Sequence, residues 1–296
     1  MKQERFTRRT FLRGAAFASA SLAFGKDDAR PSLKNEIGVT TGSFMRHLSI
    51  DAQPGKLRLL DLPRIMRDEL GMKIIDLMTA TLASMGDAYL DQLRSAAESA
   101  GCFLTNLKMN QSDLDMTSAD ESIRRHALDE YKRTIDAAAR LGVRWVRPLP
   151  GKQRPDLQIV ARSYRELIDY AAPHGIELLI ENYGWIQDQP DAIPQIIAAV
   201  GPGLHAQPDT GNWTDSARDA GLARAFPLAA SCDFKAFEFD EHGNHPKYDL
   251  KSCFDIGWRA GFRGPWCIEH FAPDLGRLLR EMVAIRDRLR GWMAAG

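Results

Sequence analysis

The stretch Ala139-Arg140-Leu141-Gly142-Val143-Arg144-Trp145-Val146-Arg147 ends a long charged run on a glycine and opens a short apolar one. A glycine in that place is a helix stop, and the apolar run after it has the length of a strand. The phrase recurs at residues 69–77 (ELGMKIIDL), 97–108 (AESAGCFLTNLK), 174–181 (HGIELLIE) and 259–268 (RAGFRGPWCI). Working outward, the pattern predicts strands at residues 36–40, 72–77, 102–108, 143–147, 176–180, 204–208, 229–234 and 266–268. Helices are predicted at residues 59–69, 89–100, 118–141, 157–173, 191–200, 216–226, 250–260 and 275–293. Ser118 and Glu121 read as a capping box at the start of the long helix. Alternation at about 30 residues per unit is the size of a (β/α)8 barrel. An open doubly wound sheet would carry a Gly-rich phosphate turn after its first strand. Here that place reads Thr40-Thr41-Gly42-Ser43-Phe44. The expectation is an α/β chain with one (β/α)8 TIM barrel over residues 35–296.

Residues 1–25 read as an export signal. Thr7-Arg8-Arg9-Thr10-Phe11-Leu12-Arg13 is followed by the Ala/Ser-rich run GAAFASASLAFG. This order resembles the twin-arginine pattern. It implies the twin-arginine translocase as a transient partner and a periplasmic product. The run is too short for a stable membrane anchor. Residues 26–34 read as a polar linker. Lys plus Arg and Asp plus Glu number 39 each, so the formal net charge is zero. A sequence-independent grip on nucleic acid needs a basic surface, so that partner class is set aside. The four cysteines lack zinc-knuckle spacing and are expected as buried free thiols. A homo-oligomer is compatible with the sequence.

In a barrel, residues at the C-terminal strand ends meet at one mouth. Those are Thr41, Asp76, Asn106, Lys108, Arg147, Glu181, Asn182, Asp209, Asn212, Asp233, Lys235, Glu269 and His270. Any single acid there reads first as a helix cap or a solvated loop residue. Four of them, Glu181, Asp209, Asp233 and Glu269, follow four consecutive predicted strands. Like charges that converge must take up protons or a cation. The economical reading is a divalent metal site. Trp185 and Trp213 follow two of these strands and are candidate walls for a sugar ring. His242 and His245, in the loop after strand seven, read either as a source of imidazole for the site or as a solvated segment.

The motifs Ile180-Glu181-Asn182, Pro208-Asp209-Thr210-Gly211-Asn212, Cys232-Asp233-Phe234-Lys235 and Ile268-Glu269-His270 resemble the sugar phosphate isomerase/epimerase family of xylose-isomerase-like barrels. The resemblance covers most of the chain after the signal and is densest over residues 176–271. It implies a divalent ion, Mn²⁺ or Mg²⁺, held by Glu181, Asp209, Asp233 and Glu269. Asp233 departs from the family, which usually has histidine there, and Asn212 stands where histidine is common. The resemblance also implies proton abstraction next to a carbonyl of a small carbohydrate, with Glu181 and Glu269 as the catalytic pair. Lys108, Arg147, Trp185, Asn212, Trp213, Lys235 and His270 are the expected substrate-binding residues, with a surface charge or a buried ion pair as the other reading of Lys108 and Arg147 and a satisfied neutral histidine as the other reading of His270. Isomerisation or epimerisation is the expected outcome. A lyase or deglycosylating enzyme using the same enolisation, or a non-catalytic sugar-binding barrel, are the alternatives. A DNA-repair endonuclease would need a His-rich site, and the chain has seven His.

Overall fold

The computed structural model describes residues 31–296 except Ala52, Lys152 and Glu241. The export signal read at residues 1–25 lies outside the described residues. Eight strands form one sheet in the order β6-β5-β4-β3-β2-β1-β8-β7. They are β1 Ile37–Thr40, β2 Ile74–Met78, β3 Phe103–Met109, β4 Trp145–Pro148, β5 Glu177–Ile180, β6 Leu204–Ala206, β7 Cys232–Ala236 and β8 Trp266–His270. Every named pairing is parallel. Between β6 and β7 the sheet closes through the bridges Ala206↔Ala229 and Asp209↔Asp233. The Asp233 N–H donates to the Pro208 carbonyl and the Thr210 N–H to the Asp233 carbonyl, each at 3.0 Å. The (β/α)8 barrel expected from the sequence is the observed fold.

The helices are α1 Leu62–Ile65, α2 Asp87–Ala100, α3 Glu121–Leu141, α4 Leu157–Ala171, α5 Ala192–Val200, α6 Arg218–Ala225, α7 Leu250–Arg259 and α8 Leu275–Ala295. Gly101 and Gly142, with φ of 68° and 73°, end α2 and α3 in the left-handed conformation that favours glycine. Most boundaries shift by one to three residues from expectation, and three of the differences have a visible local cause or consequence. Pro63 lies at the start of α1, and the following turn, Met66–Leu70, is widened to a π turn. Helix α3 is capped by Asp120, not Ser118. The Asp120 carboxylate accepts from the N–H groups of Ser122 and Ile123. Strand β7 begins at Cys232 rather than residue 229, so Asp233 lies inside the strand and not at its end.

Alternation along each strand sorts side chains outward and inward. The outward apolar residues and the inner helix faces make the main core, with Phe234, Phe254, Phe226 and Trp266 packed ring to ring. A separate apolar floor is formed by Ile74, Trp145, Leu179 and Cys267, joined by Leu33. Leu33 is buried, so the compact unit starts there, at the end of the stretch read as linker. All four cysteines are buried and free. Above the floor the bore is polar. Gly38 on β1 is needed at the level of Ile74, where an added Cβ would lie 2.5 Å from the Ile74 Cβ and 2.6 Å from its carbonyl oxygen. Gly38→Ala should therefore cost about 1–3 kcal/mol of stability, as overpacking does, read as a lower urea midpoint with unchanged slope.

Candidate active site

The upper bore is built from residues two apart on neighbouring strands. Thr40 on β1, Asp76 on β2, Asn106 and Lys108 on β3, Arg147 on β4 and Asp233 and Lys235 on β7 all lie buried. Glu181 follows β5, Gln207 and Asp209 follow β6, and Glu269 lies in β8. Asp209 and Asp233 have no exposed surface, while Glu181, Glu269 and Lys235 are 4%, 8% and 9% exposed. The latter three thus lie nearest the solvent.

Each carboxylate has a cation. Arg147 Nη1 lies 2.7 Å from Glu181 Oε2. Lys108 Nζ lies 2.6 Å from Asp233 Oδ1 and 3.8 Å from Asp76 Oδ2. Lys235 Nζ lies 3.0 Å from Asp209 Oδ2 and 3.2 Å from Glu269 Oε1. The buried ion pair read as one alternative for Lys108 and Arg147 is the arrangement observed, and Lys235 joins it. Three cations from β3, β4 and β7 thus do much of the work of compensating the acids. With Asp76, five carboxylates face these three cations, so the acids outnumber them by two.

Neutral groups complete the network. Gln207 donates from Nε2 to Asp76 Oδ2 at 2.8 Å and to Asp233 Oδ1 at 3.3 Å, and its Oε1 accepts from Asn106 at 3.1 Å. Lys108 also donates to Thr40 Oγ1 at 2.9 Å. Asn212 donates to Glu181 Oε1 at 2.9 Å and accepts from Lys235 at 2.9 Å. Asp209 Oδ1 accepts from the N–H groups of Gly211 and Asn212. Asn182 is paired with the Asp209 backbone on both sides. Gln207 and Asn110, which accepts from Arg147 at 2.6 Å, were not among the expected site residues. Gln207 was legible in principle, because period-two alternation puts it on the face of Asp209.

Burial raises the pKa of Asp233 well above the ordinary carboxylate value, and the neighbouring Asp76, Glu181 and Glu269 charges add to it, with Lys108 opposing. Glu181 and Asp76 are raised mainly by burial too, against the pull of Arg147 and Lys108. Burial works against the Lys235 ammonium, but Asp209, Glu269 and Glu181 outweigh it and hold its pKa well above normal.

A divalent ion fits one part of this network. Glu181, Asp209 and Asp233 can each offer an oxygen, all within 4.8 Å of one another. Asp233 Oδ2 is buried without a hydrogen-bond donor, while Glu181 Oε2 faces the Arg147 guanidinium at 2.7 Å. Carboxylate oxygens are the donors that Mg²⁺, Mn²⁺ and Ca²⁺ take. Glu269 is outside that group.

Three expected site residues are placed elsewhere. Trp213 is 3% exposed and belongs to the main core. Its indole lies flat on Gly221 of α6, where an added Cβ would come within 2.6 Å, so its face is closed to a sugar. His270 points from β8 towards α8. Its Nδ1 is 2.9 Å from the Ala236 carbonyl and its Nε2 2.6 Å from Glu281 Oε2, so both nitrogens are taken. Lys108 lies deep in the bore, 1% exposed, with its ammonium turned to Asp233 and Asp76. Trp185 is half-buried, with its indole N–H on the Pro150 carbonyl at 3.2 Å, and remains at the rim. His245 supplies no imidazole to the site. Its Nε2 accepts from the Phe237 N–H and its Nδ1 donates to the Tyr248 carbonyl, and burial lowers its pKa.

Residues 68–294 match the family described as xylose isomerase-like TIM barrel. No curated protein matches by sequence. Among solved structures, D-psicose 3-epimerase of Clostridium cellulolyticum H10, crystallised with D-tagatose, superposes with a TM-score of 0.67 at 15% identity over 86% of this chain and 98% of that one. A xylose isomerase-like TIM barrel protein from Mycobacterium smegmatis in complex with magnesium gives 0.63 at 20% identity, covering 87% and 97%. The probable 3-DHS dehydratase of Bacillus anthracis gives 0.66 at 14% identity, covering 86% and 99%. At these identities the likeness is one of fold.

Two outcomes follow. Lys108→Met leaves Asp233 and Asp76 buried without their cation and should cost about 3–5 kcal/mol in urea unfolding; adding Asp233→Asn should recover part of it. The second concerns pH. A carboxylate raised on folding binds its proton more tightly in the folded state, so its stabilisation is full below about pH 4 and is lost as pH rises through the folded value. Asp233, Glu181 and Asp76 are of this kind. EDTA-treated protein should therefore melt at a lower temperature as pH rises from about 5 to about 8, with the fall blunted in Asp233→Asn.

Proposed function

We propose, from the premise that this chain belongs to the xylose isomerase-like TIM barrel family, that it is a divalent-metal-dependent isomerase or epimerase of a small carbohydrate. The observation that carries the reading is the grouping of Glu181, Asp209 and Asp233, each with an oxygen within 4.8 Å of the others, with Asp233 Oδ2 buried and without a hydrogen-bond donor. A divalent ion held there, Mn²⁺ or Mg²⁺ by the all-oxygen donor set, would supply Lewis-acid polarisation of a substrate carbonyl. Glu269 takes the proton from the carbon next to that carbonyl. It is the most exposed of the four acids. Glu181 returns a proton from its own side. Arg147 and Asn212 fix the Glu181 carboxylate in place. Trp185 at the rim offers an apolar edge for a sugar ring. The twin-arginine-like start supports an exported, periplasmic enzyme acting on free sugars, oxidised sugars or glycosides rather than phosphorylated ones.

A lyase is the second reading. Abstraction of the same proton followed by loss of a neighbouring substituent makes an elimination, and the likeness to a probable 3-DHS dehydratase supports it. Incubation of Mn²⁺-loaded protein with keto-sugars and keto-glycosides in D₂O tests both. Incorporation of carbon-bound deuterium with an isomeric product supports the first reading, and a released leaving group the second. Glu269→Gln should slow incorporation by about 100-fold or more. Binding of sugars with neither exchange nor product would overturn the enzyme reading in favour of a sugar-binding barrel.

A further inference from the structure

The register of β7 on β8 puts Lys235 level with Glu269. Two residues on, just past the end of β7, comes Phe237. Its half-buried ring stays on the side of Lys235, whose Nζ lies 6.0 Å from the ring centroid. Phe271 follows Glu269 by the same step, and the two phenyl centroids are 6.4 Å apart. A ring layer therefore covers this side of the bore, one step nearer solvent than the Lys235–Glu269 pair. Past β7 the chain turns outward and returns at His245. The return is braced. His245 Nε2 accepts from the Phe237 N–H at 3.0 Å, its ring stacks on Phe237 at 6.0 Å and 19°, and Tyr248 donates its hydroxyl to the Lys235 carbonyl. Lys247 stands between these two anchors, which set its ammonium over the Phe237 ring, 3.7 Å from the centroid. The side chain is exposed and is in no ion pair among the described residues.

We propose that Lys247 is a specificity-determining residue that grips a carboxylate of the substrate, so that the carbohydrate taken here is a sugar acid. The inference rests on the carbohydrate reading above and narrows its substrate class. The charges of the mouth restrict where an acidic group can go. Below the ring layer the acids outnumber the cations, and a carboxylate carried down to Glu181 or Glu269 meets like charge. Lys235 has no donor left for it. Asn212 Oδ1 at 2.9 Å, Asp209 Oδ2 at 3.0 Å and Glu269 Oε1 at 3.2 Å take the three that an ammonium has. Arg147 is held between Glu181 and Asn110. Lys247 differs from both. A phenyl face attracts an ammonium through its quadrupole and leaves N–H donors free for an oxygen. Both lysines approach the same ring. A sugar lying along Phe237 can therefore hold its acid at Lys247 while its carbonyl end reaches the layer of Glu269. The order of charges sets the direction, with the acid outward and the carbonyl inward. One ammonium balances the single charge of a carboxylate, whereas a phosphate group carries about two.

Titration calorimetry of the folded protein in Mg²⁺ buffer tests this with matched pairs: D-glucuronate against D-glucose, D-galacturonate against D-galactose and D-fructuronate against D-fructose. The acids that bind should do so about tenfold tighter than their neutral partners at low salt. The advantage should shrink as NaCl is raised to about 0.5 M, because an exposed ammonium is screened. Lys247→Met should remove the advantage and leave neutral sugars within about twofold of wild type, and Lys247→Arg should keep it. Equal binding within every pair would overturn the proposal, as would no binding of any acid. A preference that survives in Lys247→Met would place the anchor elsewhere, at the metal or at Lys235, and overturn it too. So would tighter binding of D-glucose 6-phosphate than of D-glucuronate, which assigns the rim to phosphate. Failure of the parent reading shows separately, in D₂O. Acids that bind through Lys247 without taking up carbon-bound deuterium support the proposal and sink the isomerase. Exchange on neutral sugars, with the acids unbound, does the reverse.

Discussion

The parallel bridge between Asp209 and Asp233 closes the barrel, and in doing so it forces two carboxylates into one dry place. Backbone hydrogen bonds on either side of the bridge leave little freedom in that seam. Charges so placed repel unless something intervenes, and the bore is organised around what does. Lys108 reaches from the opposite wall to Asp233, and Lys235 rises on the next inward position of the same strand to Asp209. Arg147 serves Glu181 in the same way. A buried ion pair is held at a desolvation cost, which only good geometry and additional hydrogen bonds offset. Gln207, Asn106, Thr40 and Asn212 supply those bonds.

The result is a graded interior. The floor is apolar, the middle layer is a closed network of Asp76, Lys108, Gln207 and Asp233, and the top layer carries Glu181, Lys235 and Glu269 with some access to solvent. Rigidity below and access above suit a site that must hold oxygens in fixed positions while a substrate enters. The middle layer also holds Asp233, one of the three carboxylates that could offer an oxygen to a metal. Proton transfer in the proposed reaction belongs to the layer above it, where the carboxylates have unequal surroundings. Glu181 is gripped by a guanidinium and an amide, and Glu269 by a single ammonium. Unequal surroundings are what allow chemically identical groups to take different roles.

Much of this was legible along the chain. The glycine-terminated helices and short apolar strands specified a (β/α)8 barrel, because each stop and each run is a local backbone preference. The four acids at the later strands were legible too, because strand ends of a barrel share one mouth. Where the reading slipped, the cause was orientation. His270 and Trp213 lie beside mouth residues in sequence, yet alternation and the packing of α8 and α6 turn them away. The start of β7 was placed early, at residue 229, and that shift hid the register in which Lys235 faces Glu269.

By itself, then, the sequence determined the architecture and the identity of the acids, since both follow from short-range patterns of polarity and from glycine stops. Only the tertiary structure decided how those acids are neutralised. Lys108, Arg147 and Lys235 come from three different strands, and nothing local pairs them with Asp233, Glu181 or Glu269. Pairing of buried charges is a matter of distance across the closed bore, and distance across a barrel is set by how its strands register, not by their order in the chain.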